Sequence, residues 1–261
     1  MPTEDFVTEL FYRVDEVLQD VPKHSQANLY PSEVVTIAIL FALKGGHGRP
    51  FYRWMDRNWR GLFPKLPHRT RLFCLFVTHQ HLTDRFMVDP TILGVIDSYG
   101  IELIHPIREG RSEKQIGKKG LSNKRWIVGG KLCLLLNKFG LVVDWDFGAA
   151  NQYDADFHPL IEKVVDEMIV FADTHFHAAT GDPDNLKICP RGTWNDRMII
   201  ETVLSMLTTV SHFKKVFHRT WKYFQARLAF TMATFNILAQ WHGLNPDDDG
   251  FVPLSIAEFS L

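Results

Sequence analysis

The stretch VDPTILGVIDSYGIELIHP, residues 88–106, marks the point at which the character of the chain changes. It is rich in isoleucine, leucine and valine, whereas the residues before it have helical periodicity, so it predicts a buried β-strand. Asp97 lies inside this apolar run. A carboxylate in such a setting is costly unless it is paired or bound to a metal, which makes Asp97 a candidate functional residue. The ordinary alternative is an aspartate with local hydrogen bonds at a strand end.

The first part of the chain, residues 1–90, predicts helices with 3.6-residue periodicity. The best defined of them begins at Pro31, which suits a first helical turn, and ends at Gly45 and Gly46. Residues 53–71 are basic, with aromatic residues interleaved. That pattern is typical either of DNA contact or of an ordinary charged surface, and the sequence leaves the choice open.

A second basic segment follows the strand, from Ile107 to Trp126, and holds seven lysines or arginines against two glutamates. It has no apolar periodicity, so we expect a mobile loop. A basic loop beside a site suits contact with phosphates, and a solvated loop is the alternative. The residues expected to contact DNA here are Arg108, Arg111, Lys118, Lys119, Lys124 and Arg125.

The remainder of the chain predicts an α/β layer. Residues 125–150 form two strands joined by the polar turn NKFG, a hairpin signal, and residues 154–167 read as a helix. The run MIVFAD then predicts a short buried strand closed by Asp173, and NLKICPRG suggests one more strand. Two long helices follow, over residues 194–217 and 220–243. This order predicts a mixed sheet flanked by helices, and ligands of open α/β sheets gather at strand ends.

Composition narrows the class of protein. The chain has 261 residues, 46% of them hydrophobic, so it can bury a sizeable core, and its formal charge of −1 excludes a uniformly basic nucleic-acid binder. Three widely spaced cysteines argue against a disulfide framework and a zinc knuckle. The acidic, amphipathic N-terminus is unlike a signal peptide, and the most apolar helix is too short to span a bilayer. We therefore expect a cytoplasmic protein without membrane spans.

Glu201 interrupts the apolar run of WNDRMIIETVLSMLTT, residues 194–209, which predicts a helix. At 3.6 residues per turn it lies opposite the stripe that includes Ile200 and Val203, with Arg197 one turn before it. A glutamate on the polar side of such a helix is ordinarily solvated, and Arg197 could simply pair with it. Glu201 becomes a functional candidate only if other acids meet it in space.

Three motifs, in this order, resemble those of the DDE transposases of bacterial insertion sequences. VIDS resembles the family's first-strand motif, with Asp97 as the first acid. VFADTHF resembles the second motif, in which Asp173 follows a buried strand. RMIIETVLSML resembles the third, in which the last acid, Glu201, lies on a helix.

The family's signature on that helix combines a tyrosine, an arginine, the glutamate and a lysine. In this chain Trp194 keeps an aromatic residue at the first position, Arg197 matches the second, and Thr208 stands where the lysine is expected. The hairpin KLCLLLNKFGLVVDWDFGAANQYD, with its AN turn and the following Asp154, also resembles the family. The resemblance assigns Trp194 and Arg197 to DNA binding, and the loss of a cation at Thr208 predicts weaker contact with DNA ends.

The resemblance implies a ribonuclease-H-like DDE catalytic domain, residues 91–245, after a helical region, 1–90, that binds DNA ends, and before a tail, 246–261. It implies metal-dependent cleavage and strand transfer of an insertion sequence, with Asp97, Asp173 and Glu201 holding two Mg²⁺ or Mn²⁺ ions. Carboxylate oxygens are suitable ligands for both metals. The implied partners are transposon-end DNA and target DNA, bound by a homodimer at the nucleoid of a bacterial or archaeal cytoplasm.

Other readings stay open at this point. A catalytically impaired, transposase-derived DNA-binding protein is one, and the residue at position 208 favours it. A metal-dependent hydrolase is another, because His175 and His177 would share a strand face and could hold Zn²⁺, although no HExxH motif or cysteine cluster supports it. Asp144 and Asp146 also share a strand face and could replace one of the three acids.

Overall fold

The computed structural model describes residues 3–122, 125–189, 197–213, 218, 220–243, 256 and 259, without the side chains of residues 197 and 198. The chain is a mixed α/β protein. It divides into two compact units, the first comprising Met1–Phe86, Met206–His242 and Ser255–Leu261, and the second Met87–Ser205 and Gly243–Leu254. This division differs from the expected domains, 1–90, 91–245 and 246–261, because the last long helix packs with the N-terminal helices.

The first unit is helical, as its periodicity predicts. Its helices are α1 (Glu4–Leu18), α2 (Pro31–Lys44), α3 (Gly48–Asn58), α4 (Arg69–His79) with a 3-10 turn after it (Gln80–Phe86), and α7 (Trp221–His242). Helix α2 begins at Pro31 as predicted, and the Glu33 carboxylate accepts a hydrogen bond of 2.6 Å from the Tyr30 amide before it. It ends where Gly45 adopts a φ of 66°, a left-handed conformation that favours glycine.

Helices α2 and α7 form the centre of this unit and contact each other. Both are buried on nearly every side, which is why neither has a clear polar face in the sequence. Among the polar groups inside, the amide of buried Asn236 donates to the Phe86 carbonyl at 2.9 Å. Buried polar groups need such partners because leaving them unpaired is costly.

The second unit is built on one mixed sheet. Its strands are β1 (Leu93–Ile104), β2 (Lys118–Ser122), β3 (Arg125–Asn137), β4 (Val142–Ala149), β5 (Ile169–Ala172) and β6 (Leu186–Ile188). Their order is β2-β3-β1-β5-β6, and β4 pairs with β3. Strands β1, β2 and β4 run antiparallel to β3, whereas β5 and β6 continue the sheet parallel to β1. The predicted β3–β4 hairpin is confirmed, with Gly140 at a φ of 76° in its turn.

One face of the sheet carries an apolar core. Helix α5 (His158–Glu162), preceded by a 3-10 turn (Asp154–Phe157), packs on β4. The core contains thirteen buried residues, which come from the strands, from this helical segment and from the turns on either side of β5: Ile96, Cys133, Leu135, Val143, Phe157, Leu160, Ile161, Val164, Met168, Val170, Ala172, Phe176 and Leu186. Helix α6 (Arg197–Thr209) then crosses the boundary of the two units, which falls between Ser205 and Met206.

Three expectations about local structure are wrong in detail. The basic segment 107–126 is not one loop, because β2 forms within it and pairs with β3, while Gly120 lies so close to the Ala150 carbonyl that a side chain would collide there. The helix expected over residues 194–217 ends at Thr209, and His212 beyond it has a φ of 50°. The helix predicted over residues 154–167 is α-helical only over His158–Glu162.

Candidate functional site

The register of β1 and β5 relates two of the predicted acids, Asp97 and Asp173. These strands run parallel, and Val95 pairs with Phe171. Two positions further along, Asp97 on β1 corresponds to Asp173, which directly follows β5. Neighbouring strands lie about 4.8 Å apart, so this register places the backbones of the two aspartates one strand spacing from each other if it continues past the end of β5.

Asp173 is held by the turn that follows β5. It caps the 3-10 turn Thr174–Phe176, and its Oδ1 accepts a hydrogen bond of 2.9 Å from the His175 amide. Its Oδ2 lies 3.0 Å from Nδ1 of the His175 ring. This double contact fixes the orientation of the carboxylate at the end of the strand.

Asp173 also belongs to a group of potential metal ligands with Asp154 and His175. One ligand atom from each residue lies within 4.8 Å of the others, and no further group of this kind occurs among the described residues. Two carboxylates supply hard oxygen ligands, and an imidazole nitrogen is an acceptable ligand for Mn²⁺ and Zn²⁺ as well. The residues therefore fit a divalent cation.

Asp154 is anchored from two strands. Its Oδ1 accepts hydrogen bonds from the Ser98 hydroxyl, at 2.6 Å, and from the Lys131 ammonium, at 2.8 Å. Lys131 also donates to the Gln152 carbonyl at 2.6 Å. The ion pair is shielded, since the side chains of Lys131 and Asp154 are only 14% and 16% exposed. The sequence did not single out Lys131, although a lone lysine in the apolar strand RWIVGGKLCLLLN is a usable signal.

The pKa of the buried Cys133 thiol is affected by the charged side chains at this part of the sheet. It pairs with Ser98 on β1 and with Asp146 on β4. Burial raises the pKa of its thiol well above the usual value, and the negative charges of Asp154, Asp97 and Asp146 raise that pKa further, while Lys131 lowers it. The site is therefore a region of negative potential, which favours a bound cation.

Glu201 lies on α6 with its side chain exposed, whereas Ile200 and Val203 are fully buried. The predicted division of this helix into an apolar and a polar side is thus confirmed. Of the three predicted acids, only Asp173 belongs to the group described above, and the meeting of Asp97, Asp173 and Glu201 around metal ions stays a prediction. Trp194 and the side chain of Arg197 lie outside the described residues.

His177 and Asp144, which the sequence offered as alternative ligands, have partners elsewhere. His177 Nδ1 lies 2.7 Å from an Asp182 oxygen, and the Ala178 amide and His177 lower the pKa of Asp182. Asp144 accepts a hydrogen bond of 2.7 Å from Lys163. Within the described part of the chain, His177 therefore does not join His175 in a group of metal ligands.

The described basic residues of 107–126 lie on the ribbon formed by β2 and the start of β3, or in the segment before it. Lys118 and Lys119 lie on β2, Arg125 begins β3, and Lys124 lies outside the described residues. Lys119 Nζ lies 3.5 Å from the Glu109 carboxylate and 5.4 Å from the centre of the Trp126 ring, which is 57% exposed. Arg125 pairs with Glu102. Arg108 and Arg111 lie before β2 and are exposed.

No family model, curated protein or solved structure matches this chain. Among the described helices, none combines the length and the apolar character that crossing a membrane requires.

Proposed function

We propose that this chain is a metal-dependent DDE transposase with a ribonuclease-H-like core, which cuts and joins the DNA strands of an insertion sequence. The observation that carries the proposal is the parallel pairing of Val95 on β1 with Phe171 on β5, which gives Asp97 and Asp173 corresponding positions when it is continued by two residues. The element types also agree with the three motifs, since Asp97 is inside β1, Asp173 follows β5, and Glu201 is on α6. The mixed sheet flanked by helices supports the proposed core.

In this proposal, Asp97, Asp173 and Glu201 hold Mg²⁺ or Mn²⁺, and Asp154 and His175 adjoin the same position. Two bound divalent ions supply activation of the attacking oxygen and stabilisation of the leaving oxygen in phosphoryl transfer. The protein's own part is orientation: His175 and the turn after β5 fix Asp173, and Ser98 fixes Asp154. The β2–β3 ribbon and the N-terminal helical region bind the phosphates of transposon-end and target DNA.

The test is strand cleavage of a supercoiled plasmid that carries this coding sequence with its flanking genomic DNA. We expect nicking or excision that needs Mn²⁺ or Mg²⁺ and disappears in Asp97→Asn, Asp173→Asn and Glu201→Gln. Asp166→Asn, at an exposed aspartate of the same unit, is the matched control and should cut normally. DNA binding, measured by gel shift, should survive in every variant because these carboxylates add no attraction for phosphates.

Two other functions are outcomes of the same experiment. DNA binding without cleavage by the wild type, with either metal, would indicate a transposase-derived DNA-binding protein. Hydrolysis that needs Zn²⁺ and is lost in both His175→Ala and His177→Ala would support the zinc alternative. That result would be unexpected from the structure, because His177 contacts Asp182 and, among the described residues, does not join His175 in a group of metal ligands.

A further inference from the structure

Lys131 is a shielded cation beside a group of metal ligands, and the three acids of the proposed site do not explain it. Its Nζ is 2.8 Å from Asp154 Oδ1, and Asp154 is itself within 4.8 Å of the ligand atoms of Asp173 and His175. An ammonium carries three donors, of which the Asp154 carboxylate and the Gln152 carbonyl occupy two. One donor therefore remains for another acceptor near the site.

We propose that Lys131 is a further catalytic residue of this site, whose ammonium binds the phosphate group that is cut and stabilises the negative charge developing on it. The inference rests on the proposed function, because it needs a phosphodiester at the metal site. It adds a residue that none of the three sequence motifs contains.

The distances allow this contact. A divalent ion lies about 2.0–2.6 Å from a carboxylate oxygen, and Asp154 Oδ1 lies 2.8 Å from the Lys131 ammonium, so an ion bound to that oxygen would be within about 5.4 Å of the ammonium. A phosphate oxygen bound to that ion on the side of the lysine is then within hydrogen-bonding reach. Metal and ammonium would contact different oxygens of one phosphate.

The lysine is also held rigidly, as stabilisation of a developing charge requires. Strand β3 is hydrogen-bonded on both sides, and Lys131 pairs with Gly100 on β1 and Gly148 on β4. Its head group is fixed by the two acceptors already named. A cation placed this way needs little reorganisation when the phosphate arrives.

Charge balance supports the same role. Asp97, Asp154, Asp173 and Glu201 carry four negative charges, and a phosphodiester adds one. Two divalent ions and one ammonium carry the five positive charges that neutralise them. With Lys131 and two ions the site carries one net positive charge before DNA arrives, which attracts the phosphodiester, whereas the same site without Lys131 would be neutral.

The experiment compares Lys131→Met, Lys131→Arg and Asp154→Asn with the matched control Lys163→Met, which also removes a lysine paired with an aspartate of the second unit. The first measurement is Mn²⁺ affinity without DNA, from the electron paramagnetic resonance signal of unbound Mn²⁺. We expect Lys131→Met to bind Mn²⁺ about tenfold more tightly, because a repelling positive charge is removed. A lysine that only positions Asp154 would give weaker Mn²⁺ binding on removal, and that result, or no change, would overturn the proposal.

The second measurement is cleavage of the same plasmid at saturating Mn²⁺. We expect Lys131→Met to lower the rate by about 10²–10³-fold, the usual cost of one donor to a developing charge, and Lys131→Arg to recover part of it. The double variant Lys131→Met/Asp154→Asn should be slower than Asp154→Asn alone by a similar factor. Equal rates of the two would mean that the lysine serves only to neutralise Asp154, and would overturn the proposal.

The two proposals fail in distinguishable ways. Cleavage that is lost in Asp97→Asn but kept in Lys131→Met overturns the role of Lys131 and leaves the proposed function standing. Cleavage that survives Asp97→Asn and Asp173→Asn overturns the proposed function and the role of Lys131 with it. Circular dichroism and thermal unfolding of each variant show whether a loss of rate reflects a loss of fold.

Discussion

The guanidinium of Arg227, on α7, donates a hydrogen bond of 2.6 Å to the carbonyl of Phe41 in the last turn of α2. The same side chain donates to the carbonyls of Ala42 and Ser211, each at 2.8 Å. Burial lowers the pKa of Arg227 to about 9, so it remains a cation at neutral pH. A buried cation at a helix C-terminus satisfies carbonyls that have no partner within the helix and interacts favourably with the helix dipole.

Arg227→Met should therefore destabilise the helical unit by about 2–4 kcal/mol, because three carbonyls lose a donor, although the carbonyl of Phe41 keeps the Gly45 amide. The measurement is denaturant unfolding followed by far-ultraviolet circular dichroism. Arg60→Met is the control, since Arg60 forms an exposed pair with Asp56 along α3 and its loss should cost no more than about 0.5 kcal/mol. Equal effects of the two substitutions would contradict a structural role for Arg227.

Long-range contacts of this kind mark the limit of what the sequence predicts. Asn236 and Phe86 meet across 150 positions of the chain, and local periodicity holds no information about such distances. The strands around Asp97 and before Asp173 were predictable because each is a short apolar run with clear ends. Strand β2 was not, because its residues are mostly polar and it forms by backbone pairing with β3.

The same distinction separates the residues of the candidate site that the sequence predicted from those that it did not. Asp97 and Asp173 could be singled out, since each is a carboxylate in or directly after an apolar strand. Lys131 and Asp154 meet only because β4 pairs with β3, which brings the turn after β4 close to Lys131. A sequence pattern names residues that are unusual in their local setting, whereas a pair of ordinary residues becomes visible only through the register of the strands.

His218 should make the stability of the helical unit depend on pH. Burial, and then the charge of Arg227, lower its pKa from 6.5 to about 4. Between these values the unfolded chain binds a proton that the folded chain does not, so stability is complete above pH 6.5 and falls as the pH drops towards 4. The total loss should be about 1–3 kcal/mol, since one pKa unit corresponds to about 1.4 kcal/mol.

The measurement is denaturant unfolding at several pH values for the wild type and His218→Phe, which keeps a ring near Phe224, 6.4 Å away between centroids. The variant should show a flatter decline between pH 6.5 and 4.5. His24→Phe, at an exposed histidine of the same unit, should follow the wild type. Parallel curves for all three proteins would show that the His218 proton is not linked to folding.

The β2–β3 ribbon should bind DNA through its phosphates. Replacing Arg108, Arg111, Lys118 and Lys119 by glutamine should weaken duplex binding and flatten its salt dependence, by up to about 0.9 in the log–log slope for each lost phosphate contact. The measurement is fluorescence anisotropy of a labelled duplex between low and moderate salt. Lys163→Gln with Lys187→Gln, which lie outside the ribbon, is the control. An unchanged slope in the variant with all four substitutions would mean that these residues are solvated and do not contact DNA phosphates.

A second variant should change DNA binding in the opposite direction. Glu109 lies 3.5 Å from Lys119 and neutralises part of the ribbon. Glu109→Gln should therefore tighten duplex binding at low salt, and the gain should vanish as salt screens the charges. A tighter complex that persists at high salt would point to a new contact rather than to electrostatics.

The last prediction concerns Thr208, where the resemblance leads us to expect a lysine. Thr208 and Glu201 lie on the same helix, α6, and seven residues amount to about two turns, so both are on one face. Thr208 is half-buried and lies in the last turn, since the helix ends at Thr209. A lysine there has the length and charge to contact a DNA phosphate, which threonine lacks. Thr208→Lys should therefore strengthen binding of DNA ends and speed strand transfer at fixed salt, without altering Mn²⁺ affinity.

A lysine in the last turn also stabilises the helix through its dipole by about 0.3–1 kcal/mol, so a control must carry the same benefit. Thr209→Lys does so, because it adds the same charge one position further along, about 100° around the helix, at an exposed residue. A gain in Thr208→Lys alone would support the DNA contact. Equal gains in both variants would reveal a general effect of added charge, and no gain in an active protein would mean that another cation already fills this role.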